Sequence, residues 1–228
     1  MAPQEQDQGQ GRQEQGAPRR RNPRGQGQVL RGQLIDAAAK LLATLDQPET
    51  LTLRQVAREV GVAPASIYGH FPDLSALVQH VLRLRYEELA RLMEQAAQAN
   101  PDPLGDVVAR CAAYARWGVD QPGHYRTLFG GRMPTDLLTG SAHGAGEELF
   151  GALVASLAAV TDPDGTRSTP EGQWQAGILL WTALHGLVSL YNAHGTMSWP
   201  PLDDLLTDLI GLHTGRPAAD IAALLAAN

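Results

Sequence analysis

Apolar residues recur at helical spacing along most of the chain. Leu34, Ile35, Ala38, Leu41, Leu42 and Leu45 lie three and four apart and share one face of a first helix, which Asp46-Gln47-Pro48 ends. Thr52, with Gln55 three residues on, has the form of a capping box. A short second helix starts there, with Leu53, Val56, Ala57 and Val60 as its apolar side. Gly61 follows, suited to a left-handed turn that a Cβ would strain. The pattern predicts a third helix from about Ala63 to His70, with Pro64 in its first turn. Beyond Pro72-Asp73, Leu74, Leu77, Val78, Val81, Leu82, Leu89 and Leu92 mark a long fourth helix to about Gln98. Asn100-Pro101-Asp102-Pro103 breaks the periodicity. Further helices are predicted at roughly 104–118, 122–130, 143–160, 171–194 and 201–213, with a short one after Pro217.

No strand pair and no internal repeat stand out. The expected fold is all-α, about nine helices in sum: a three-helix N-terminal helix-turn-helix domain over 28–72, then a helical bundle over 73–228. Residues 1–27 are rich in Gln, Gly, Pro and Arg and offer almost nothing to anchor a core, so they read as a disordered arm.

Composition adds a direction. At 228 residues with 43% apolar content the chain can bury a real core, and its Ala and Leu bias favours helices. The net charge of −6 is unevenly spread. Arg19 to Arg91 holds 11 basic against 7 acidic residues, while Ala96 to Asn228 holds 6 against 13. A basic front and an acidic back suit a DNA-facing end and a solvated body. The single cysteine, Cys111, leaves no intrachain disulfide and lies in an apolar stretch, where a buried, inert thiol is expected. No leader-like apolar segment opens the chain and no apolar run approaches about 18 residues, so a cytoplasmic protein off the membrane is expected.

The 52–72 segment meets the packing demands of a helix-turn-helix in order. Ala57 is the small residue where the two helices cross, Gly61 makes the turn, and Ile67 anchors the second helix to the core. Just upstream, Arg19, Arg20, Arg21 and Arg24 fit either a solvated tail or an arm along phosphate or in a minor groove.

Residues 31–82 resemble the N-terminal domain of TetR-family regulators. The resemblance rests on Thr52-Leu53-Arg54-Gln55-Val56-Ala57, then Gly61-Val62-Ala63, then Ala65-Ser66-Ile67-Tyr68-Gly69-His70-Phe71. It implies that Thr52, Ser66, Tyr68 and His70 hold phosphates. It implies that Arg54, Pro64, Ala65 and Gly69 approach base edges, and that Phe71 is a core link to the fourth helix. Two positions depart from the family pattern: Leu74 stands where a phosphate-binding lysine is common, and Ala63 where a serine cap is usual. The recognition helix is therefore chemically sparse. Arg54 becomes the main candidate for bidentate guanine reading, with the arginine arm in support.

In the body, the segment Trp181 to Leu190 resembles the Trp-x-x-x-His-Gly signature of one class of TetR C-terminal domains, and Tyr114 to Phe129 is compatible with it. Trp181 and His185 are four apart and can touch, and Gly186 would admit another helix. The resemblance implies a homodimer through the last two long helices and a near-palindromic double-stranded DNA operator. Candidate effector contacts are Tyr114, Trp117, Tyr125, Phe129, Trp174 and Trp181, with His124 and His185 as polar handles. Ordinary core packing is the competing reading of all eight.

The chain lacks a nucleophile elbow, a close Cys–His pair and a phosphate loop, so no enzyme is expected. Asp162, Asp164 and Gly165 faintly resemble a calcium loop but lack the other ligands, and His185 and His194 are poorly spaced for a shared metal. No cofactor or metal is expected. The expected function is a ligand-responsive DNA-binding regulator, a repressor by family resemblance, released by a small apolar or aromatic effector. The alternative is a DNA-binding protein without an inducer, acting architecturally or through a protein partner.

Overall fold

The computed structural model describes residues 26–45, 47–130 and 141–227. Among these, every regular element is helical. The α-helices are α1 (Gln26–Thr44), α2 (Leu53–Val60), α3 (Leu74–Gln98), α4 (Pro103–Asp120) and α5 (Pro122–Phe129), followed by α6 (Ser141–Thr161), α7 (Pro170–Ala193), α8 (Leu202–Thr214) and α9 (Ala218–Ala227). Two 3-10 segments, Pro48–Thr50 and Pro64–Gly69, flank α2. The arginines at 19–21 and 24, and with them most of the expected arm, lie outside the described residues.

The helix ends follow local chemistry. Gln55 N–H donates to Thr52 Oγ1 at 3.3 Å and Thr52 N–H to Gln55 Oε1 at 2.7 Å, a complete capping box. Gly61 closes α2 at φ 78, with Gly61 N–H on the Arg58 carbonyl and Val62 N–H on that of Ala57, a Schellman pair. Asp73, Asp102 and Thr169 cap α3, α4 and α7 through the amides of Ala76, Gly105 and Gly172. The same logic explains one departure. The third helix expected at 63–70 is a 3-10 helix, not an α-helix. Ala63 offers no capping oxygen, and a segment of six residues is too short to offset α-helix nucleation.

The apolar faces merge into one core. Leu34, Ala38 and Leu42 of α1 meet Val56, Ile67 and Phe71 of the helix-turn-helix, and the cluster continues through Leu77, Val81 and Leu89 of α3 into the body. There α4 is central, packed against α3, α6, α7 and α9. Gly118 and Gly177 allow close crossings: a Cβ would stand 2.6 Å from Val188 Cγ1 on the first and 2.5 Å from Val154 Cγ2 on the second. Gly186, expected to admit another helix, has no atom of the described residues near its Cβ position.

Against the expectation of no long apolar run, α6 from Gly144 and the whole of α7 are long and apolar enough to cross a membrane, at mean hydropathy 1.2. In the fold each commits a stripe to the core, Leu149, Leu153 and Leu157 on α6 and Leu180, Leu184 and Val188 on α7. Elsewhere on α7, Leu179 and Leu190 are more than half exposed.

Candidate nucleic-acid interface and ligand cavity

A 3-10 helix has three residues per turn, so residues three apart eclipse. That sorts Pro64–Gly69 into three edges. Ile67 is fully buried and carries its edge into the core, with His70 half-buried on the same side. Ala65 with Tyr68, and Ser66 with Gly69, form two outward edges, and all four are exposed. Tyr68 is 62% exposed. Pro64, at the open end of the Ile67 edge, and Arg54 and Thr52 are also exposed, and His70 is the most recessed of the described candidates. Thr52 Oγ1 also donates to Gln55 Oε1 at 2.8 Å, so its hydroxyl is already engaged in the cap.

Phe71 sits at 3% exposure, with the Arg31 guanidinium 4.8 Å over its ring and the His80 ring 6.0 Å away. It joins α1 and α3 behind the exposed edges, as the family resemblance implied. His80 lies between Arg31 and Arg83, at 3.3 Å from Nη1 of the first and 3.0 Å from Nη2 of the second. Burial, then the two cations, hold its pKa below the ordinary histidine value.

The body contains a cavity of about 390 Å³ between α3, α5, α6 and α7. Its walls carry Tyr86, Phe129, Phe150, Trp174 and Trp181, five aromatic side chains from four helices. Leu82, Leu128, Leu149 and Ile178 fill between them. Gly146 lets Tyr86 stand close to α6, and Glu147 is the one charged lining residue among the described residues. The rings run edge to face: Tyr86–Phe129 at 5.9 Å, Phe129–Trp181 at 6.3 Å, Phe150–Trp181 at 6.1 Å and Phe150–Trp174 at 5.9 Å.

Of the eight expected effector contacts, Phe129, Trp174 and Trp181 line this cavity. Tyr114, Tyr125 and His185 lie behind it as a hydrogen-bonded layer. Tyr125 Oη is 2.7 Å from His185 Nδ1, donates to the His185 carbonyl at 3.1 Å, and is 3.4 Å from Ser189 Oγ; Tyr114 Oη is 3.3 Å from the same Nδ1. The His185 ring stands 5.4 Å from both Phe129 and Trp181, edge to face with the first and tilted against the second, so the four-residue spacing does bring Trp181 and His185 together. Burial lowers the His185 pKa and raises that of Tyr114. Trp117 is buried and off the cavity walls. His124 is off them too, beside the charges of Arg85 and Glu88. Cys111 is fully buried, and burial with the nearby Asp106 carboxylate pushes its thiol up to about 12, consistent with an inert group.

Sequence reasoning missed Leu82, Tyr86, Leu128, Leu149, Phe150, Ile178, Gly146 and Glu147. The apolar ones occupy helical positions indistinguishable from core by periodicity, Glu147 lies on an exposed helix face, and only the crossing of α3 with α6 and α7 turns them toward one space.

A model of "bacterial regulatory proteins, tetR family" matches residues 34–81, and one of the "tetracyclin repressor-like, C-terminal domain" matches residues 107–212. Together they cover about two thirds of the chain. The chain belongs to the TetR family. A curated relative, an "uncharacterized HTH-type transcriptional regulator" of Haemophilus influenzae, is 39% identical over 84 residues, 37% of this chain. The chain spans 40% of the length of that relative. Among solved structures, a protein of unknown function from Rhodococcus sp. RHA1 superposes with TM-score 0.68 at 22% identity, covering 82% of this TetR-family chain and 94% of its own. A TetR-like transcriptional regulator from the same organism gives TM-score 0.62 at 15% identity, with 85% and 96% covered. RolR in complex with resorcinol gives TM-score 0.54 at 17% identity, with 88% and 94% covered. These likenesses establish the shared helical fold.

Proposed function

We propose that this chain is a ligand-responsive, homodimeric DNA-binding regulator, a repressor that leaves a near-palindromic operator when a small apolar or aromatic molecule enters its body. Its C-terminal domain is read as the Trp-His-Gly type, from Trp181, His185 and Gly186. The reading divides the chain into an arm at 1–27, a DNA-binding unit at 28–72 and a sensing and dimerising unit at 73–228, in a cytoplasmic protein that catalyses no reaction.

The observation that carries it is the exposed double edge of Pro64–Gly69 standing on a buried Ile67. Ser66, Tyr68 and His70, with Thr52, are the phosphate contacts in this reading; Pro64, Ala65 and Gly69 approach bases apolarly, and Arg54 reads guanine. Arg19, Arg20, Arg21 and Arg24 add charge along the backbone. The aromatic cavity supports the sensing half, and RolR, whose structure holds resorcinol, is a precedent for a small aromatic ligand on this fold. Tyr114, Tyr125 and His185 act in this reading from behind the cavity walls, by fixing the ring positions of Phe129 and Trp181, while Trp117 and His124 stand off the walls.

The test is to select bound fragments from genomic DNA, footprint the operator, and titrate the complex with small aromatic molecules. A near-palindromic footprint released by a cavity ligand supports the reading. Failure to enrich any fragment overturns it. Deleting residues 1–24 and measuring operator affinity against salt isolates the arm: a shallower salt slope supports a phosphate role, and an unchanged slope removes it.

A further inference from the structure

His80 stands between two hydrogen-bond donors and can accept from only one. Arg31 Nη1 reaches its Nε2 at 3.3 Å from α1, and Arg83 Nη2 reaches its Nδ1 at 3.0 Å from three residues along α3. A guanidinium only donates, and a neutral imidazole accepts at one nitrogen and carries a proton on the other. Arg83 has a second acceptor in the Glu87 carboxylate. The ring's lone pair is therefore best directed at Arg31, with its proton on Nδ1. An imidazolium has no lone pair and adds a third cation, so protonation replaces the bond to Arg31 with repulsion. Among the described residues, the charged groups acting on the ring are Arg31 from α1 and Arg83 and Glu87 from α3. The helix-turn-helix presents to it the uncharged ring of Phe71, 6.0 Å away.

That bond holds the seat of the DNA-facing segment. The Arg31 guanidinium that meets His80 also covers the Phe71 ring at 4.8 Å, and Phe71, 3% exposed, follows directly on Pro64–Gly69 and His70. The first turn of α1 lies alongside: a Cβ on Gly27 would stand 3.8 Å from His70 Cε1. We propose that His80 is a positioning residue for DNA binding: its neutral ring latches Arg31 over Phe71 and so fixes Pro64–Gly69 against α1 and α3, and its protonation opens the latch and weakens specific operator binding in mild acid. This rests on the reading of the helix-turn-helix as the DNA contact. Burial and the two arginines hold the ring's pKa below the ordinary value of ~6.5, so the latch opens below that pH. Non-specific binding follows phosphate charge rather than the seating of one segment, and is not weakened.

The test uses the full-length chain, a genomic fragment that it selects, and a scrambled duplex of the same length and base composition, at constant salt. The ratio of scrambled to selected dissociation constants is expected to fall about three- to ten-fold between about pH 7.5 and about pH 5.0. His80→Gln keeps an acceptor oxygen that cannot titrate. Its ratio is expected within about two-fold of the wild-type value at neutral pH, and flat as pH falls. Arg31→Gln removes the other half of the latch and is expected to show a lowered ratio at neutral pH, again flat. His70 is common to all three proteins, so its titration cancels from the comparison. A wild-type ratio that does not fall, or that falls equally in His80→Gln, overturns the proposal. Should His80→Gln fail to fold, an equal fall in Arg31→Gln overturns it instead. Urea midpoints of the protein alone separate the two readings. The folded ring's pKa lies below its unfolded value, so the wild-type midpoint should fall in mild acid more than that of His80→Gln. If the midpoints diverge so but no genomic fragment is selected, the DNA-binding reading falls and the latch remains as a joint between α1 and α3. If they run parallel, the latch falls whatever the DNA does.

Discussion

The Arg126 guanidinium donates to the main-chain carbonyl of Ala43 at 2.9 Å. One turn earlier, Gly123 lies so close to α1 that a Cβ there would stand 2.5 Å from the same carbonyl oxygen. Helix α5 thus grips the C-terminal end of α1, while its other end gives Leu128 and Phe129 to the cavity. A ligand that shifts Phe129 moves a helix already fastened to the DNA-binding unit. Arg126→Met is expected to keep operator affinity without effector within about two-fold and to lower the effector-induced loss of affinity, a coupling change of ~0.5–2 kcal/mol. Operator titrations with and without a small aromatic cavity ligand measure it; an unchanged ratio removes α5 from the path. Gly123→Ala is expected to cost about 1–3 kcal/mol by overpacking, read by urea denaturation.

Turn chemistry in the helix-turn-helix gives a second expectation. Gly61 has φ 78 and open space around its Cβ position, so a methyl there meets no atom and only the backbone objects. Gly61→Ala should therefore destabilise by about 1–2 kcal/mol through left-handed strain alone. The urea midpoint should fall with an unchanged slope, and full retention of stability would contradict the strained turn.

Much of this was legible in the chain. Caps such as Thr52 with Gln55, breakers such as Asn100-Pro101, and the three-and-four spacing of Leu34 to Leu42 act over a few residues, and the helices fall where those signals put them. Two things were less legible. The 63–70 helix became 3-10 because its length and missing cap outweighed its apolar pattern. The cavity was half-seen: aromatic residues in the body were visible, yet which of them face a void and which form the Tyr114–Tyr125–His185 layer depends on how α3, α6 and α7 cross. Glu147 carried no signal at all, being one of two adjacent glutamates on a solvated helix face.

The loop after α6 supplies a pH expectation. The Asp162 carboxylate accepts from Ser168 Oγ at 2.7 Å and from the amides of Thr166, Arg167 and Ser168 at 3.0, 3.0 and 2.9 Å. The Ser168 hydroxyl foremost, with these amides, holds its pKa at about 2. The folded value lies below the unfolded value of ~3.9, so this carboxylate stabilises the fold fully above that pH, and the contribution is lost as pH falls toward about 2. Stability of the native chain should fall through this window more steeply than that of Asp162→Asn, which should be the less stable protein at neutral pH. Equal slopes for the two in acid titrations followed by circular dichroism would contradict the assignment.

The open side of α7 and α8 bears on assembly. Leu179 and Leu190 are 55% and 51% exposed, and Gly186 between them has no neighbour among the described residues. Residues 179, 186 and 190 recur at spacings of seven and four, so they share one helix face apart from the buried stripe of Leu180, Leu184 and Val188. On α8, Leu212 is 86% exposed. A second copy laid across this surface would cover the leucines and use Gly186 for close approach, completing a four-helix interface about a twofold axis. Leu190→Glu with Leu212→Glu is expected to give a folded monomer, because neither side chain supports the intrachain core. Operator affinity should then fall by about 10²-fold or more, since each half-site would be bound without the other. Sedimentation velocity and operator titration check the two parts separately. A dimer that persists in the double variant places the interface elsewhere, whereas a monomer with undiminished affinity for the full operator would mean that one copy suffices to read it.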